Sequence, residues 1–106
     1  MSKTVELLCF ERCPTYKTTL RDLEEIVNKE ALDVRVVLTR VDSDDDAKRL
    51  RFLGSPTVRV DGVDIDQTAR GSSHFGLRCR VYRVDGRALD TPSRELLRRA
   101  LKEEPA

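Results

Sequence analysis

The sequence predicts an α/β fold: one mixed four-stranded sheet with helices on its faces, in the order β-α-β-α-β-β-α with an insertion before the last helix. Three observations predict it. Runs of aliphatic and β-branched residues alternate with segments whose apolar residues recur at helical spacing. Asp61-Gly62 separates two alternating runs, the strongest short hairpin signal in the chain. A chain of 106 residues with 39% hydrophobic side chains has material for one core and not for two, so 1–106 reads as a single domain.

Val5-Glu6-Leu7-Leu8-Cys9-Phe10 is short and mostly apolar, as a buried strand is, and stops at Glu11-Arg12. Pro14 then opens a helix, because the N–H it lacks has no partner in a first turn. Tyr16, Leu20, Leu23, Ile26 and Val27 share one face of that helix, which ends near Glu30. Asp33 to Val41 is rich in β-branched residues and reads as the second strand. The acidic run Asp42 to Asp46 reads as a helix start, with Ser43 or Asp44 as cap, because the glycine and distal glutamate of a calcium loop are missing. Ala47, Leu50 and Leu53 face inward from this second helix, and Gly54-Ser55-Pro56 ends it. Thr57–Val60 and Val63–Ile65 form the hairpin. Residues 66–91 are the insertion: a polar loop to residue 78, then an alternating run from Cys79 to Val84 that meets a second turn at Asp85-Gly86. This run is expected to add a strand or hairpin at the sheet edge or over the end that carries Cys13. The last helix, 92–103, begins at Pro92 and turns Leu96, Leu97, Ala100 and Leu101 inward.

Charge excludes several classes. Twenty Lys and Arg against 19 Asp and Glu leave a net +1, with no basic surplus for nucleic acid or an anionic membrane. No apolar run approaches the roughly 20 residues of a membrane span. The first residues show no signal-peptide pattern. Three cysteines are too few for a disulfide-stapled mini-domain, so a cytoplasmic protein is expected. No metal-ligand spacing and no cofactor motif is present.

The chemistry centres on Cys13. A thiol at a helix N-terminus meets free N–H groups and the positive end of the helix dipole, which favour the nucleophilic thiolate. Its sulfur is therefore expected to be partly exposed. Cys9, four residues earlier in the strand, reads as a small buried hydrophobe. Cys79 has two readings that stay open, a second exchanging thiol or a core strand residue. Arg12 beside Cys13 either stabilises the thiolate or is solvated, and Tyr16 either bonds a bound thiol group or packs on the helix face. His74, the only histidine, either approaches Cys13 as a base or third ligand or, as a lone histidine in a polar loop more often is, is solvated, which is the reading favoured. Arg78, Arg80, Arg83 and Arg87 read as a solvated strand face.

At these joints the chain resembles the thioredoxin-like family. The resemblance rests on a strand leading into Cys13-Pro14, a second strand ending at Val41-Asp42, and a short helix. It continues through Gly54-Ser55-Pro56-Thr57 at the head of a strand and an Asp-Gly hairpin, covering residues 4–65 and the last helix. Cys13-Pro14 resembles the glutaredoxin branch. Phe10-x-x-Cys13-Pro14 with Phe75 to Tyr82 resembles small bacterial thioredoxin-like proteins labelled alkylmercury lyase-like. The resemblance implies a three-layer fold and a cis Pro56 facing Cys13, with Ser55, Pro56 and Thr57 presenting backbone groups to a partner chain. The family's usual second cysteine is Tyr16 here, so any resolving thiol comes from elsewhere.

The function expected is a thiol-disulfide oxidoreductase or redox protein. Cys13 would attack a disulfide-containing protein or exchange with a small thiol such as glutathione, and Cys79 would resolve the mixed disulfide. Two alternatives remain: thiolate binding of a soft metal such as mercury, and a non-catalytic thioredoxin-like binding module.

Overall fold

In the computed structural model, which describes residues 3–102, β1 (Lys3–Cys9) is an inner strand of a four-stranded mixed sheet. It runs parallel to β2 (Val34–Arg40) and antiparallel to β3 (Thr57–Val60). β3 pairs antiparallel with β4 (Val63–Asp64), giving the order β2-β1-β3-β4. The registers Leu7 to Leu38 and Leu7 to Val58 align aliphatic side chains across three strands. Asp61 and Gly62 both have positive φ, 50° and 85°, as a two-residue hairpin turn of the sheet's own twist requires.

Alternation along β1 divides the core. Val5 and Leu7 point to one face, where they join Val58 and Ile65. On that face lie Leu23 and Ile26 of α1 (Tyr16–Lys29) and Leu97 and Leu101 of α3 (Arg94–Lys102). Leu8 points to the other face, against Val41, Phe52 and Ala47 of α2 (Asp44–Arg49). The sheet thus lies between two helices on one side and one on the other. Ion pairs tie α3 to α1: Arg94 reaches Asp22 at 2.6 Å and Glu25 at 3.0 Å, and Arg98 and Lys102 both reach Glu30.

Several boundaries move. Pro14 and Thr15 form a turn that leads into α1, so the helix begins at Tyr16 rather than Pro14. Ser43 caps α2 by accepting from the Asp46 N–H at 3.1 Å. The α3 start is set by Ser93, whose Oγ accepts from the Leu96 N–H at 3.1 Å, and not by Pro92. Its expected last residue, 103, lies outside the described residues.

The insertion holds a short 3-10 turn, Gln67–Ala69, and a hairpin of β5 (Tyr82–Val84) and β6 (Arg87–Leu89). This hairpin is a separate two-stranded sheet and does not extend the main one. The strand expected from Cys79 shortens to Tyr82–Val84, and Cys79 itself makes only an isolated parallel bridge to Ser55. Among the described residues, no helix is long and apolar enough to cross a membrane.

Candidate functional site

Cys13 sits in the joint between β1 and α1. Its N–H donates to the Phe10 carbonyl at 2.9 Å, and the next carbonyl, of Pro14, accepts from the Lys17 N–H at 3.0 Å. The thiol group is thereby fixed just before the first turn of a 14-residue helix. Facing it is the joint between α2 and β3, where the Ser55–Pro56 peptide bond is cis. Cys13 Sγ lies 3.8 Å from the Ser55 carbonyl oxygen and 3.7 Å from Thr15 Oγ1. A disulfide sulfur carries no proton, so of these two contacts only the Thr15 hydroxyl can donate toward it.

Cys79 completes the site. It is joined to Cys13 by a disulfide, with Cα atoms 5.8 Å apart. The two residues differ in exposure: Cys13 is 2% exposed, whereas Cys79 is exposed. The expectation of a partly exposed Cys13 sulfur is corrected here, because the segment 78–80 lies over it like a strap.

The strap is held at its backbone. Ser55 N–H donates to the Arg78 carbonyl and Arg80 N–H donates to the Ser55 carbonyl, both at 2.8 Å. The main-chain groups beside Pro56, expected to face a partner, are thus engaged by the chain itself. Ser55 and Thr57 are fully buried. Gly54 makes the approach possible. Its φ is +127°, and a Cβ there would lie 3.0 Å from Arg80 Cβ and 3.1 Å from the Arg78 carbonyl oxygen.

A buried polar network anchors the strap from the far side. Arg80, 6% exposed, makes a two-pronged ion pair with Asp64: Nη1 to Oδ2 at 2.7 Å and Nη2 to Oδ1 at 2.9 Å. Its guanidinium lies 4.5 Å from the centroid of the Tyr82 ring. The Tyr82 hydroxyl donates to the Pro56 carbonyl at 2.6 Å. Burial pushes the Tyr82 phenol well above its ordinary range, against the pull of the nearby Arg80 charge, so it stays a neutral donor.

The reading of Arg80 as a solvated residue is therefore corrected. Arg80 and Tyr82 turn inward, while Val81 is 55% exposed. Sequence reading missed this network. The available signal was parity: Arg80 shares a side with Tyr82, and Asp64 lies in a strand between two apolar residues. A carboxylate facing a core needs a cation, and Arg80 supplies it.

Tyr16 is half-buried at the first position of α1 and Arg12 is exposed, while His74 is exposed and lines the cleft that Cys79 lines. Among the described residues none of the three bonds to the cysteines. Cys9 is 1% exposed, and burial pushes its thiol up, only partly offset by Arg40. It is buried, as expected of a small hydrophobe in the strand. Among the described residues, no three His, Cys, Asp or Glu side chains converge on a point where a metal ion would sit. Comparison of the chain with models of known protein families, with curated proteins and with solved structures found no match.

Proposed function

We propose that the chain is a thioredoxin-like thiol-disulfide redox protein whose exchanging pair is Cys13 and Cys79. One observation carries the reading. The cysteine at the entrance of α1 and the cysteine of the strap lie 66 residues apart in sequence, yet their Cα atoms are 5.8 Å apart, within bonding range. The mixed sheet with its closing hairpin, and the Ser55-Pro56 joint opposite Cys13, agree with the resemblance.

The reduced pair would give two electrons to a disulfide R–S–S–R′. One cysteine thiolate attacks a substrate sulfur and expels R′S⁻. The second thiolate attacks the cysteine sulfur of the mixed disulfide and expels RS⁻, leaving Cys13–S–S–Cys79. The expelled thiolates take protons from water. The place of Cys13 just before α1, at the positive end of the helix dipole, favours it as the thiolate of the pair.

Mild oxidation followed by peptide mapping is the test. A Cys13–Cys79 bond with Cys9 free is expected, and the reduced protein should reduce a model disulfide catalytically when a dithiol regenerates it. Cys13→Ser and Cys79→Ser should each abolish turnover. Absence of that bond, or turnover surviving both substitutions, overturns the reading. Uptake of one soft metal ion per reduced pair without any disulfide turnover moves the assignment to thiolate metal binding.

A further inference from the structure

We propose that external exchange enters this site at Cys79, not at Cys13, and that the favoured small partner is a thiol bearing carboxylate groups. The inference rests on the pair reading above and specifies its partner and its point of entry.

Access comes first. Cys79 is exposed and lines a cleft of about 690 Å³, whereas Cys13 is buried and does not line it. A thiolate must reach a sulfur to attack it, and of the two bonded residues only Cys79 is exposed.

Charge comes second. Arg78 and Arg83 line the same cleft, both exposed, and among the described residues neither has an ion pair. Arg80 also lines it, but its charge is matched by Asp64. The acid in the lining is Asp66. One of its oxygens accepts from the Thr68 N–H and hydroxyl, and the other lies 3.9 Å from Arg80. Two guanidiniums with no ion pair among the described residues therefore line the cleft that Cys79 lines. They attract a thiol with carboxylates and stabilise the negative charge that spreads over three sulfurs during exchange.

The leaving group comes third. Attack on Cys79 expels Cys13 as a thiolate just before the first turn of α1, where the positive end of the helix dipole and the Thr15 hydroxyl, 3.7 Å from the sulfur, stabilise it. Exchange is faster when the departing thiol has the lower pKa. Attack on Cys13 would instead expel Cys79, which lacks a helix start.

RS⁻ bonds to Cys79 Sγ as the Cys13–Cys79 bond breaks, giving Cys79–S–S–R and Cys13–S⁻. A second RS⁻ attacks the R sulfur, giving R–S–S–R and Cys79–S⁻. Two thiols supply the two electrons, and the protein thiolates take protons from water.

The test uses the oxidised full chain and three thiols: mercaptosuccinate, neutral mercaptoethanol and cationic cysteamine. Rates are compared per thiolate at neutral pH. At low salt mercaptosuccinate should exceed cysteamine by about tenfold, and the gap should close at high salt. In the double variant Arg78→Ser/Arg83→Ser, the ratio of mercaptosuccinate to mercaptoethanol rates should fall toward one. Acid quenching at early times, alkylation and peptide mapping should find the mixed disulfide on Cys79 and the alkyl group on Cys13. Adducts on Cys13, or equal rates for the three thiols with the native chain, overturn the proposal. A chain that forms no Cys13–Cys79 bond on mild oxidation fails earlier, before any thiol is added. That result removes the pair reading and this one with it.

Discussion

Tyr82 shows how much one hydroxyl can carry. Its ring is buried under Arg80, and its O–H satisfies the Pro56 carbonyl. Tyr82→Phe leaves that carbonyl without its donor and should cost about 1–2 kcal/mol in urea denaturation at neutral pH. The sign with pH follows from burial. The folded-state pKa of Tyr82 is raised, so its contribution is complete below the unfolded value of about 10 and is lost as pH climbs above it. The stability gap between native chain and Tyr82→Phe should therefore be flat through neutral pH and narrow in alkali. Cys9 behaves differently: buried in β1, with its thiol pushed up, it should have almost no thiolate at neutral pH. Maleimide applied to the reduced, folded protein should label the exposed Cys79 first, and should reach the buried Cys9 only after denaturation.

At the scale of elements, the strap depends on two contacts made by residues distant in sequence. Gly54 lets segment 78–80 lie against Ser55, and the Arg80–Asp64 pair pins the strap to the end of β4. Gly54→Ala adds a Cβ 3.0 Å from Arg80 Cβ at a φ of +127°, so the strap must move away. We expect slower re-formation of the Cys13–Cys79 bond and faster hydrogen exchange at the Ser55 and Arg80 amides. Asp64→Ala strands a buried guanidinium and should destabilise the fold by about 3–5 kcal/mol. A paired apolar replacement, Asp64→Leu with Arg80→Met, should recover much of that loss, because no charge is then left buried. Calorimetry on the three variants checks both statements.

Over the whole molecule, the disulfide is the longest-range covalent constraint on a chain with a modest core. It spans 66 residues, from the first joint of the sheet to the insertion. Loop-closure entropy for a ring of that size corresponds to about 4 kcal/mol relative to the open unfolded chain. Cys13→Ser/Cys79→Ser should lose an amount of that order in denaturant unfolding. Adding reductant to the native chain should produce the same loss and leave the variant unmoved. The four-stranded sheet, with Val5, Leu7, Leu23, Ile26, Val58 and Leu97 in one apolar cluster, should persist in both. Far-ultraviolet circular dichroism at neutral pH without denaturant should therefore hardly change.

The sheet and its helices were legible in the residues because their cause is local. Leu7 and Leu8 alternate into two faces, Leu23, Ile26 and Val27 share a helix side, Ser43 caps α2, and Asp61-Gly62 adopts the turn its residue types favour. Each of these depends on neighbours a few positions away, and patterning records such causes. The placement of Cys13 before α1 was legible for the same reason. What the tertiary structure alone decided is where residues 78–82 lie. Their alternation suits either parity, and parity inverts which side chains are wet. Asp64, 16 positions before Arg80, selects the buried arginine, and Ser55 selects the backbone register. That choice buries Cys13, exposes Cys79 and brings them together, because a carboxylate facing the core must find a cation wherever in the chain it lies.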